Sequence, residues 1–332
     1  MKAIRTHQTG GPETLTLDEL PDPVPGKGEV LVAVKACAIN FPDGLIIRDL
    51  YQFKPPRPFS PGGEIAGVIE ALGEGVEGFA VGDRVLAGIG HGGLAEKVVV
   101  PAGRMFKVPD GVPFEKAASL LMTYGTTIHG LKDRGHIKPG DTVLVLGAAG
   151  GVGLAAVELA KAFGARVVAA VSSEAKGEVA RKAGADEVVI YPREAMDKEA
   201  SKALADAFKK ACGPEGANIV YDIVGGQYSE PALRAIAWEG RFLVVGFPAG
   251  IAKMPLNLTL LKSCDICGVF WGAFTAREPA RFRAEVEELF DLMAAGKIDP
   301  LVSETFPLER AGEAIAKLEA REAVGKLVVT MD

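Results

Sequence analysis

A short apolar run, Thr142–Leu146, leads straight into Gly147-Ala-Ala-Gly-Gly-Val-Gly153, and a helical pattern follows until Gly164. Strand, glycine turn and helix in immediate succession constrain the fold more than anything else in the chain. Gly150 or Gly151 lets a backbone approach a pyrophosphate, and Gly153 allows the helix to pack closely on the strand. The helix N-terminus supplies amide donors. The motif departs from a strict G-x-G-x-x-G, because Ala148 stands where the first glycine would be. The rhythm then repeats, with strands expected at Arg166–Val171, Glu187–Ile190, Asn218–Ile223 and Arg241–Val245. Helical segments separate them, and Gly184 ends one as Gly164 ends the first. This alternation predicts a doubly wound parallel sheet.

The rest of the chain reads differently. Residues 1–115 carry short apolar runs, such as Val30–Val34, Ile65–Ile69 and Lys97–Val100, between turn signals like Pro23-Val-Pro-Gly26 and Val81-Gly-Asp83. That pattern predicts a β-rich, barrel-like domain. Two amphipathic helices are expected near Phe282–Ala295 and Leu308–Ala320, then a last strand, Lys326–Thr330. With 332 residues the chain suffices for about two domains of ordinary size. A net charge of −6 with no basic block argues against nucleic acid or an anionic membrane as partner. The apolar runs are broken well short of the roughly 20 residues of a membrane span, and residues 1–6 hold no apolar leader. Cys37, Cys212, Cys264 and Cys267 complete no zinc set, so reduced thiols in a cytoplasmic protein are expected.

The end of the second strand discriminates between the two nicotinamide cofactors. An NAD site usually places an acid there to bind the ribose hydroxyls. Here the strand ends Val171-Ser172-Ser173, Lys176 follows one helical turn later, and Arg193 lies beside Tyr191 after the third strand. Hydroxyls and cations suit a 2′-phosphate, so NADPH is the expected cofactor. Glu174 argues the other way, but it follows the serines rather than ending the strand.

The chain resembles the medium-chain dehydrogenase/reductase superfamily, and within it the zinc-free quinone oxidoreductase (zeta-crystallin-like) branch. The resemblance rests on Ala38-Ile-Asn-Phe-Pro-Asp43, Pro61-Gly-Gly-Glu-Ile-Ala-Gly67, Val81-Gly-Asp-Arg84, Ala148–Gly153, Asp222-Ile-Val-Gly-Gly226 and Gly325-Lys326. It implies an α/β chain with a GroES-like β-rich catalytic domain (residues 1–119 and 266–332) and a Rossmann doubly wound parallel-sheet domain binding NADPH (residues 120–265). It also implies a role near the nicotinamide for Asn40, Asp43 and Thr126. Cofactor contacts are implied at Gly150, Gly151, Val152, Ser172, Ser173, Lys176, Tyr191, Gly246, Phe247, Phe270, Trp271, Gly272 and Lys326. Lys262–Phe270 resembles the edge strand through which such chains pair into homodimers.

The metal-dependent alcohol dehydrogenases of this superfamily have a Cys where this chain has Asn40 and a His where it has Gly63. Zinc catalysis needs three protein ligands and an open position, which neither residue serves. His91, His129 and His136 match no ligand pattern and are expected at the surface or in packing. Without a metal to polarise a carbonyl, hydride delivery to an already electrophilic carbon is the easier task. Quinones and α,β-unsaturated carbonyls are therefore the expected substrates. Tyr51 stands where related reductases carry a tyrosine, and a phenol of pKa about 10 is protonated at neutral pH. An enoyl-thioester reductase and a non-catalytic NADPH-binding protein are the alternatives.

Overall fold

The strand Glu29–Ala38 organises the first of two compact units. Its Val30, Val32 and Val34 are buried, and its length lets it pair with three strands, Glu64–Leu72, Lys97–Pro101 and Lys326–Thr330. A computed structural model describes residues 1–331. In this first unit (Met1–Met122 and Pro300 onward) a seven-stranded sheet is mostly antiparallel. Register shifts in the pairing of Glu29–Ala38 with Glu64–Leu72 bend the sheet, as bulges do in barrels. Its core joins Val30, Val32, Ile65, Ile69, Val85 and Leu94 to Phe306, Ile315 and Val329 from the chain's far end. The strand Lys326–Thr330 forms where the sequence predicts it.

The second unit, Thr123–Asp299, holds a six-stranded parallel sheet. Its order is Glu187–Ile190, Arg166–Val171, Thr142–Leu146, Ala217–Asp222, Ile236–Val244 and Asp265–Gly268. The chain winds outward from Thr142–Leu146 in one direction, then returns and winds outward in the other. Strand order therefore reverses beside the glycine turn, the position where open sheets of this kind take ligands. The first three strands span the residues expected from sequence.

The sequence boundary at 266 does not match this division. Asp265–Gly268 pairs in parallel with Arg241–Val244, so it extends the nucleotide sheet. The helix Pro279–Ala294 also belongs to this unit, joined to it by an ion pair between Lys132 and Glu288. The return to the first unit falls at Pro300. All four cysteines are unpaired and buried. Among the described residues no helix is long and apolar enough to cross a membrane.

Candidate active site

In the first unit, Asn40 begins the helix Phe41–Ile47, and its extended backbone makes it the N-cap. Asp43, three residues on, accepts from the Asn40 N–H at 2.7 Å, half of a capping box. The other Asp43 oxygen accepts from the Gly62 N–H at 3.0 Å. Gly62 sits at φ +94° with Leu94 N only 2.7 Å from where a Cβ would lie, so the loop meeting Asp43 needs glycine there. The Asn40 amide donates to Ala38 O and to Glu64 Oε2, each at 3.2 Å. Lys326 Nζ donates to Asn40 Oδ1 at 2.6 Å and to Ile39 O at 2.9 Å. Glu64 Oε1 accepts from the Met122 N–H at 3.0 Å.

Asn40, Asp43, Glu64 and Lys326 are all buried. Burial pushes Asp43 up to about 6 against its backbone donors, and Glu64 up to about 7 despite Lys326. The Lys326 ammonium is pushed down by burial and held up by Glu64 and Asp43. An amide offers two donors and one oxygen with two lone pairs, and here both donors and one lone pair are engaged. Asn40 is thus locked in orientation with one lone pair left. Tyr51, half-buried, packs against the same core. Its hydroxyl is held above the ordinary phenol value by burial and by the Asp43 charge.

In the second unit the glycine turn does what close packing requires. A Cβ on Gly153 would lie 2.2 Å from Gly147 O, whereas one on Gly150 would meet the same oxygen at 3.6 Å, an ordinary contact. Gly150 caps the helix Gly151–Ala162, and Val152 lies in its first turn. Ser173 caps the helix Glu174–Lys182, its hydroxyl accepting from the Lys176 N–H at 3.3 Å. The Lys176 amine is pushed down by partial burial and by the nearby Arg193 charge. The Arg193 charge thus reaches Lys176, which lies in the first helical turn after Ser172 and Ser173. Glu174, the acid that argued against NADPH, pairs with Arg181 at 2.6 Å along its own helix. Tyr191 is buried against Tyr228, ring centroids 4.6 Å apart.

The remaining contacts implied by the sequence fall on the same unit. Gly246 and Phe247 follow the strand Ile236–Val244, near the Asp222–Gly225 turn in which Asp222 Oδ1 accepts from the Val224 and Gly225 N–H groups. Thr126 is half-buried, while Thr127 beside it is bonded to Thr123 O and the Tyr221 hydroxyl. Phe270 is exposed, and Trp271-Gly272 opens a short helix. The Trp271 indole N–H is buried without a partner, and its ring lies about where a Cβ on Gly125 would need room.

Comparison with known proteins adds a second line. Residues 26–110 match the family described as alcohol dehydrogenase GroES-like domain, and residues 151–295 match zinc-binding dehydrogenase. A quinone oxidoreductase-like protein 2 homolog of Nematostella vectensis is 37% identical over 99% of this chain and 88% of its own length. The chain belongs to the quinone oxidoreductase branch of the medium-chain dehydrogenase/reductases. Human quinone oxidoreductase is 31% identical over all of this chain and 98% of its own. The Escherichia coli quinone oxidoreductase solved with NADPH superposes with a TM-score of 0.90 at 30% identity, over the full length of both chains.

For this branch member, sequence reading brings Asn40, Asp43 and Lys326 forward, and the Lys326 ammonium lies buried on Ile39 and Asn40. Glu64, which completes the network, was not singled out. Its signal was an acid opening the apolar run Ile65–Ile69 directly after two glycines.

Proposed function

We propose that the chain is an NADPH-dependent reductase of quinones and activated α,β-unsaturated carbonyls, working without a metal at the reacting oxygen. The observation that carries this reading is the amide of Asn40, fixed by Lys326 and Glu64 where metal-dependent relatives need a thiolate, with Gly63 where they need an imidazole. The pairing of Lys176 and Arg193 beside Ser173 supports NADPH over NADH. Bound NADPH supplies a hydride from its nicotinamide ring. The glycine turn and the helix N-terminus at Gly151 hold the pyrophosphate, Lys176, Arg193 and the serines hold the 2′-phosphate, and Asn40 and Thr126 orient the reactive end. Tyr51 donates its proton to the acceptor oxygen as charge develops there. The unpaired thiols fit a reducing cytoplasm.

An acceptor panel followed by NADPH absorbance tests the reading. Quinones are expected to turn over faster than crotonyl thioesters, and prolonged chelation is expected to leave kcat unchanged. Faster thioester reduction points to an enoyl-thioester reductase, and turnover of neither points to a binding protein. Activity lost with a chelated metal and restored by zinc, at a temperature where the stripped chain stays folded, would falsify the metal-free route.

The second unit also supports self-association. Asp265–Gly268 is an outer strand whose free edge has no partner in the sheet order, and Trp238, Leu260, Leu261, Ile266 and Phe270 around it are exposed. An open apolar edge is an aggregation liability that two-fold pairing removes. Light scattering at micromolar concentration is expected to give twice the chain mass, and a monomer alone would rule the pairing out.

A further inference from the structure

The nucleotide unit holds a cluster that the proposed reaction does not use. His129 and Asp133 lie one turn apart on the segment His129–Arg134, with His129 Nδ1 2.6 Å from Asp133 Oδ2. Glu285 reaches them from the helix Pro279–Ala294. One nitrogen and two carboxylate oxygens, one from each residue, lie within 4.8 Å of one another. His129 and Glu285 are buried, and the Asp133 side chain is 9% exposed. Glu285 Oε2 is buried and accepts no hydrogen bond from any described group. An acid oxygen left without a hydrogen bond in a dry site is costly, and the Glu285 side chain otherwise meets only Asp133 and the charges of Arg281 and Lys132.

We propose that His129, Asp133 and Glu285 form a binding site for a divalent transition-metal ion of the zinc class. One imidazole and two carboxylates suit zinc or cobalt, whereas calcium and magnesium prefer oxygen alone. Ligand bonds of about 2.0–2.2 Å place neighbouring donors roughly 3.3–3.6 Å apart, so an ion would replace the direct His129–Asp133 contact, now 2.6 Å, and open that pair by about 1 Å. The surroundings already resemble the outer layer of a metal site. Phe274 stacks on the His129 ring at 4.0 Å and fixes its plane, and Arg281 holds the other Asp133 oxygen, Oδ1. Lys132 is drawn to Glu288 at 2.5 Å. An ion here ties the segment His129–Arg134 to the helix Pro279–Ala294, and water fills its fourth position. None of the three residues stands at Asn40 or Gly63, the ligand positions that metal-dependent relatives use.

The test uses the full chain, stripped with chelator and titrated with Co²⁺ and with Zn²⁺. Visible Co²⁺ absorption is expected to saturate at one equivalent, and Zn²⁺ is expected to abolish it and raise the melting temperature. Glu285→Gln and His129→Gln are each expected to weaken Co²⁺ binding by about a hundredfold or more, since even outer partners of a metal site are worth about 10–100-fold. Glutamine keeps the shape of the Glu285 side chain, and circular dichroism checks that the variant folds. No Co²⁺ spectrum at about hundred-micromolar metal overturns the proposal, because the three groups are then a proton-bridged packing cluster. Binding that survives both substitutions overturns it equally, because the ion then sits elsewhere. Neither readout depends on turnover.

Discussion

Tyr51→Phe is expected to slow reduction of an activated enone by about a hundredfold while changing KM little. Hydride addition to an enone leaves charge on the conjugated oxygen, and an enolate is basic enough to need a proton at once. Removing one donor aimed at developing charge costs about 10²-fold or more in a dry site. The Tyr51 hydroxyl suits that role because burial and the Asp43 charge both disfavour its phenolate, so it remains a donor above the ordinary phenol value. Its contribution is therefore expected to hold constant across neutral pH and to fade only as strongly alkaline solution removes the proton. A quinone forms a less basic oxygen, so the same substitution should slow it less. The measurement is kcat and KM for one enone and one quinone, because an interaction made only in the transition state lowers kcat without raising KM. Wild-type rates with both acceptors would make Tyr51 a packing residue and water the proton source.

What the sequence made legible was local. The strand–glycine–helix unit is contiguous, so the strand at Thr142–Leu146 and the helix from Gly151 follow from neighbouring residues. Lys176, one helical turn after the two serines, is legible for the same reason. The network around Asn40 is not local. Lys326 meets it across 286 residues and Glu64 across 24, and no periodicity connects such positions. Family resemblance brought Asn40 and Lys326 forward together without showing that they touch. The His129–Asp133 spacing of four fits one helical face, but its third member arrives from a helix far along the chain. The boundary at 266 differs because Asp265–Gly268 is short and exposed but for Cys267, and only its pairing with Arg241–Val244 assigns it to the nucleotide sheet.

Lys176→Ala is expected to weaken NADPH binding by about ten- to hundredfold and leave NADH binding nearly unchanged. The Lys176 amine is half-buried near the Arg193 guanidinium, and burial first, then that charge, pushes its pKa down. A 2′-phosphate carries nearly two negative charges and is attracted by two cations near one another. The Ser173 oxygen accepts from the Lys176 N–H, so its hydroxyl proton remains available to a phosphate oxygen. Glu174, drawn to Arg181, is held along its own helix. A hydrogen bond to a charged group is worth about 1.5–3 kcal/mol, which converts to roughly ten- to hundredfold in affinity. NADH has no 2′-phosphate and loses nothing from this contact. Binding of the two cofactors to wild type and variant, at low and raised salt, checks it, because the NADPH preference should shrink as ions screen the site. Equal weakening of NADH and NADPH would place Lys176 away from the phosphate, leaving Arg193 and the serines to carry the discrimination.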